Sequence, residues 1–245
     1  MSPLPAISTR LLRSLFFIDL TLVTLYLVNH VAGGPIWKLT QLLDLNNEDS
    51  LATWYSVCKL FTGGLLALLF ALHILDRRNP RSLVVLSVPA LFAALSLDEA
   101  IQIHEWLGRK SDALLPAGDR AASGLPGTGA WMVFLGIPFA IAFTFWLRWI
   151  RHHLPSASPF TRQMALGVGV LLSGALGFEA LSNVAVPGSL AHTLLIAGEE
   201  GLEMIGASVM VSAGLVLASP YVDLGQQEER AYGPLRAGGP LKRAS

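Results

Sequence analysis

Residues 51–76 read LATWYSVCKLFTGGLLALLFALHILD. In this run only Lys59 and the closing Asp76 carry a full charge. A bilayer core is crossed by about 20 mostly apolar residues in helical form. Lipid offers no partner to an open backbone, so such a run closes its own hydrogen bonds as a helix. The apolar positions do not alternate, which argues against a barrel strand. Working outward, five further segments have the same character: 11–33, 82–107, 129–151, 160–186 and 190–218. Gly33-Gly34-Pro35, Asn79-Pro80, Gly124 to Gly129, Pro155 to Pro159, Pro187-Gly188 and Pro220 punctuate the joins. The first segment exceeds the apolar core of a signal peptide and contains Asp19, so it reads as a spanning helix. The expected fold is an all-α polytopic membrane bundle of six transmembrane helices. It forms one domain over 1–220, followed by a flexible polar cytoplasmic tail over 221–245. No internal repeat is evident, which disfavours an inverted-repeat transporter fold.

Composition agrees. The 245-residue chain is 53% hydrophobic and 14% charged, with a mean hydropathy of +0.55. Soluble domains carry about 25% charged residues. Lys+Arg and Asp+Glu both number 17, so no basic excess exists to neutralise a phosphate backbone, and nucleic acid is not an expected partner. The single cysteine, Cys58, excludes an intrachain disulfide and any CxxC motif.

The basic residues orient the helices. Arg10, Arg13, Arg77, Arg78, Arg81, Arg148, Arg151, Arg162, Arg230, Arg236, Lys242 and Arg243 fall on one side. Lys38, Arg109, Lys110 and Arg120 fall on the other, and Lys59 lies within the second helix. The split of 12 against 4 predicts that both termini are cytoplasmic. Trp37, Trp54, Trp106 and Trp131 mark the outer interface, and Trp146 and Trp149 the inner one.

Against this apolar frame stand polar groups that a bilayer penalises. The third helix holds Asp98, Glu99, His104 and Glu105; the fifth holds Glu179; the sixth holds His192, Glu199, Glu200 and Glu203. An ionised side chain at a helix centre costs about 2.5–3.5 kcal/mol on insertion scales. Seven such carboxylates, charged and unpaired, would cost on the order of 20 kcal/mol. They must be protonated, paired, hydrated or bound to a cation. The orientation places all of them in the outer half, together with Asn29, His30, Glu48 and Lys59. Glu48 and Asp49 read as solvated interfacial charges. Asp19 and His73 are the main ionisable groups of the inner half and read as satisfied partners. At 100° per residue, Asp98, Gln102 and Glu105 share one helical face, as do His192, Glu199 and Glu203. Glu179 and Asn183 are one turn apart. Gly169, Ser173 and Gly177, spaced by four, and Gly198, Gly201 and Gly206 predict close helix approach.

Carboxylates and imidazoles converging from facing helices suit a divalent metal, Fe, Mn or Zn. The expected metal ligands are Asp98, Glu99, His104, Glu105, His192, Glu199 and Glu203, with His30 a further source of nitrogen. Glu179 and Glu200 are the expected orienting groups or general bases. Such a centre would serve a membrane redox enzyme or hydrolase acting on a lipid-phase or periplasmic small molecule. No Glu here has a His three residues later, so the ferritin-like signature is absent. Two other readings use the same residues. One is a proton- or cation-coupled transporter, which lacks ionisable steps in the inner half. The other is a non-catalytic polar network that ties helices together, with Lys59 neutralising one carboxylate.

Three segments together carry a resemblance: Asp44-Leu45-Asn46-Asn47-Glu48 through Thr53-Trp54-Tyr55-Ser56; Leu95-Ser96-Leu97-Asp98-Glu99 through His104-Glu105; and Glu199-Glu200-Gly201-Leu202-Glu203-Met204-Ile205-Gly206. Over residues 40–210 the chain resembles a group of uncharacterised bacterial multi-pass membrane proteins of this length. The resemblance implies an inner-membrane location and the choice of site residues, and no reaction. The paired-His motif of the alkaline ceramidase superfamily is absent, so its hydrolase activity is not carried over.

Overall fold

A computed structural model describes residues 4–75, 80–112, 132–182 and 184–236. These residues are helical almost throughout, and no strand occurs among them. The helices are α1 (Leu4–Val31), α2 (Trp37–Leu43), α3 (Leu51–Ile74), α4 (Ser87–Ile101), α5 (Ile103–Asp112), α6 (Ile137–His153), α7 (Ser158–Leu172), α8 (Glu179–Ser182) and α9 (Leu190–Arg236). A 3-10 stretch, Pro80–Leu86, leads into α4, and π-helical turns at Met132–Gly136 and Ser173–Phe178 precede α6 and α8. Six stretches are long and apolar enough to cross a membrane: Ala6–Val31, Leu51–His73, Leu83–Ile101, Met132–His153, Pro155–Ser182 and Leu190–Ala218. The chain is thus a multi-pass membrane protein, with the six spans that its hydropathy predicts.

The helix ends obey local chemistry. The Ser50 side chain accepts the Thr53 N–H and caps α3. Arg151, His152 and His153 fill the last turn of α6, where the helix dipole favours positive charge. α9 continues to Arg236, beyond the domain boundary expected at 220; the last part of the expected tail, 237–245, lies outside the described residues.

The most buried span is that of α9, which packs against α7, α1, α3 and the π turn Ser173–Phe178, while α3 packs against α4. Phe92, Phe160, Met164 and Met210 fill the main core, and a smaller cluster forms around Leu22, Tyr26, Ile196 and Met204. Phe17, Leu20, Phe145 and Leu166 point outward, as lipid-facing side chains do. Two ends of the bundle differ. One holds the ends of α1 and α4 and the start of α9, and we call it the acidic end. The other holds Arg10, Arg13, Arg148, Arg151 and Arg162.

The expected close approach of small residues holds at Gly198 and Gly206 and is corrected for Gly169, Ser173 and Gly177. Gly169, Ser173 and Gly177 are all exposed, and open space surrounds Gly169 and Gly177. The buried stripe of α7 is Phe160, Met164, Gly167 and Val168, continued by Gly174. There α7 and α9 touch backbone to backbone: a Cβ on Gly206 would stand 2.6 Å from the Gly167 carbonyl oxygen. Gly169 and Ser173, four residues apart, lie on the face of the span opposite this stripe, so spacing by four alone does not mark the contact face.

Candidate functional site

The third span does not run straight through its polar motif. Gln102 adopts a left-handed conformation, φ 56° and ψ 47°, between α4 and α5. This overturns the shared face expected of Asp98, Gln102 and Glu105, which presumed an unbroken helix. The break gives Asp98 a different task. Its Oδ1 accepts the His104 backbone N–H at 2.9 Å, and its Oδ2 lies 2.9 Å from His104 Nδ1. Asp98 therefore caps α5 and orients the imidazole, and both side chains are about one-third exposed. The Glu105 side chain lies outside the described residues.

Around this turn the acidic end gathers carboxylates. Glu203 lies within electrostatic reach of Glu200, Glu99, Glu199 and Glu179. Glu199 meets Glu179 and Glu48, and Glu99 meets Glu48 and Asp98 as well as His104 and Lys59. These glutamates are half-buried. The Ser182 hydroxyl donates to Glu199 Oε2 at 3.1 Å. The π turn builds this contact. It brings Gly174 against α9, where a Cβ would stand 2.6 Å from the Glu199 carbonyl oxygen and 3.1 Å from Glu203 Cγ. Glu99 of α4 and Glu179, Glu199, Glu200 and Glu203 of the fifth span and α9 are thus linked by electrostatic reach, without their carboxylates meeting at one point. Glu48, expected to be a solvated charge, joins them from the loop before α3.

His192 departs from the group. Its face lines a separate cavity of about 450 Å³ with His30, Asn29, Asp44 and Thr193, at the junction of α1, α2 and α9. Tyr26 stands between the two regions, facing the charges of both Asp44 and Glu200. Asn183, expected one turn from Glu179, lies outside the described residues. Among the described residues no three His, Cys, Asp or Glu side chains converge closely enough to hold a metal ion.

Deeper in the bundle is an ion pair. Lys59 Nζ lies 3.1 Å from Asp19 Oδ1, with both side chains 1% exposed. It also donates to the Met204 carbonyl at 2.7 Å and to Ser208 Oγ at 3.1 Å. Ser208 in turn donates to Asp19 Oδ2 at 2.6 Å, and the Tyr55 ring lies 4.5 Å from the ammonium. All three protons of the ammonium are thereby used, which is what makes a buried pair tolerable. Asp19 was expected in the inner half; α1 begins at Leu4 and places it near the middle of its span. Lys59 meets Asp19 and not one of the clustered glutamates. His73 is exposed near the end of α3.

One turn beyond Ser208, Ser212 continues the polar line. Ser8 Oγ donates to the Ser212 carbonyl at 3.1 Å, and Gln163 Nε2 donates to Ser212 Oγ at 2.5 Å. Glu200, Met204, Ser208 and Ser212 succeed one another at four-residue intervals along one face of α9. Sequence reading missed this seam. The available signal was two opposite charges, Asp19 and Lys59, in neighbouring apolar spans.

A family model described as a domain of unknown function (DUF8692) matches residues 15–218. No curated protein and no solved structure matches the chain.

Proposed function

Because the chain belongs to this family of unknown function (DUF8692), whose description names no activity, we propose from its geometry that it moves protons, or exchanges them for a cation, across its membrane. The observation that carries this reading is the Lys59–Asp19 pair, fully buried in the bundle and within electrostatic reach of Glu99. An intramembrane ion pair is costly, and proton pathways are a principal use of one. On one side of the pair stand the glutamates of α4, α8 and α9. Neighbouring carboxylates offer a proton successive acceptor oxygens. On the other side the hydroxyls of Ser208, Ser212 and Ser8 and the amide of Gln163 supply hydrogen-bonding steps toward the arginine-bearing end. In this proposal the acidic end faces the periplasm of a bacterial inner membrane, as the distribution of basic residues supports.

The test is proton flux into liposomes holding purified protein, driven by a potassium diffusion potential and read by a trapped pH dye, with elemental analysis of the same sample. The expected results are flux that Glu199→Gln and Glu203→Gln abolish, and no stoichiometric metal. Stoichiometric Fe, Mn or Zn without flux would replace this reading with a metal-dependent redox enzyme or hydrolase. Absence of both would leave the carboxylates as a structural network.

A further inference from the structure

The cavity beside α1, α2 and α9 is chemically unlike the glutamate group. Its volume, about 450 Å³, is that of a small-molecule site. It offers both signs of recognition. Asp44 supplies a carboxylate from the loop after α2, while His30 and His192 bring imidazoles from two different helices. Asn29 and Thr193 add an amide and a hydroxyl, and Tyr26 adds an aromatic wall. Some of these groups are already held in place. His30 Nε2 lies 3.2 Å from Thr193 Oγ1, Asn29 Nδ2 donates to Thr40 Oγ1 at 3.2 Å, and Asp44 Oδ1 accepts the Asn46 N–H at 3.1 Å. The site is thus preorganised by short local contacts.

We propose that this cavity binds a small zwitterion carrying a primary ammonium and an acid group. Asp44 takes the ammonium, whose N–H groups a carboxylate accepts in charge-assisted bonds. His30, His192 and Asn29 face the acid group as N–H donors. A purely cationic ligand would leave the donors unused, and a purely anionic one would meet Asp44 with like charge. The cavity lies at the end of the α1 span and the start of the α9 span, where the apolar run of each helix gives out. Beside it α2 exposes Trp37, with Lys38 Nζ 4.3 Å from its ring. The zwitterion therefore has two available sources, an ethanolamine phospholipid headgroup or a free amino acid, and the chemistry is common to both. The proposal stands apart from the proton reading and survives its failure.

The test is isothermal titration of the full-length protein in detergent with O-phosphoethanolamine, glycine, ethanolamine and inorganic phosphate. A zwitterion should bind at least about tenfold more tightly than ethanolamine or phosphate alone, each of which makes half the contacts. Asp44→Asn keeps an oxygen for the Asn46 turn and so preserves the loop; it should weaken zwitterion binding about tenfold, as should His192→Ala. Nanodiscs of phosphatidylethanolamine or phosphatidylcholine separate the sources. Thermal stabilisation by the former over the latter, lost in Asp44→Asn, assigns a lipid headgroup. Tighter binding of glycine without a lipid preference assigns a free amino acid. No binding of either zwitterion in both media, or binding unchanged in Asp44→Asn and His192→Ala, overturns the proposal.

Discussion

Asp98 holds His104 twice, through Oδ1 to the backbone N–H and through Oδ2 beside Nδ1, both at 2.9 Å. The contact spans the left-handed turn at Gln102, so one side chain sets both the start of α5 and the direction of its imidazole. Removing it leaves an N-terminal N–H of α5 without this acceptor. Asp98→Ala should lower stability by about 1–2 kcal/mol. Asp98→Asn keeps an oxygen for the backbone bond and should cost less. Thermal unfolding in detergent checks the order of the two variants, and equal losses would contradict the capping role.

Gly206 lies in the α7–α9 contact and Gly169 lies outside it. A Cβ on Gly206 would stand 2.6 Å from the Gly167 oxygen and from the Leu171 nitrogen, both backbone atoms that cannot swing aside. Gly206→Ala should destabilise by about 1–3 kcal/mol. Gly169→Ala, with open space around it, should be neutral or stabilising by up to about 1 kcal/mol. Detergent melting of the two variants side by side reads the register of this helix pair directly.

That register shows where sequence reading stops. Hydropathy located the six spans because lipid imposes length and apolarity on each independently of its neighbours. The acidic motifs were visible because composition alone makes Glu199 or Glu203 out of place in a membrane. Assigning those residues to shared helix faces relied on an unbroken 100° step. A left-handed residue at Gln102 defeats that step in the third span, and no Pro or Gly beside it announces the break. The Lys59–Asp19 pair lies beyond periodicity altogether, since its members are 40 residues apart and meet only through packing. Glu48 likewise reads as a loop charge until the fold places it within electrostatic reach of Glu99 and Glu199.

Orientation rests on the distribution of Lys and Arg and is open to direct test. Single cysteines at Ser111 and Ser245 in a Cys58→Ser background report the two sides of the membrane. An impermeant thiol reagent on intact cells should label position 111 and spare position 245 until the cells are opened. The reverse pattern would invert the bundle and put the glutamates on the cytoplasmic side.

Lys59 and Asp19 test the central claim, because their role as a tether and their role as a proton step respond differently to substitution. Breaking a buried pair from one side leaves an uncompensated charge and costs about 3–5 kcal/mol, so Asp19→Leu and Lys59→Met should each destabilise the bundle. Replacing both partners with apolar side chains of similar size removes the charge and can restore stability. The decisive measurement is proton flux into liposomes by the double variant Asp19→Leu/Lys59→Met, beside its melting temperature in detergent. The account predicts a double variant that is folded and close to the parent in stability yet carries no flux. A folded double variant with undiminished flux would contradict it and leave the pair as a tether.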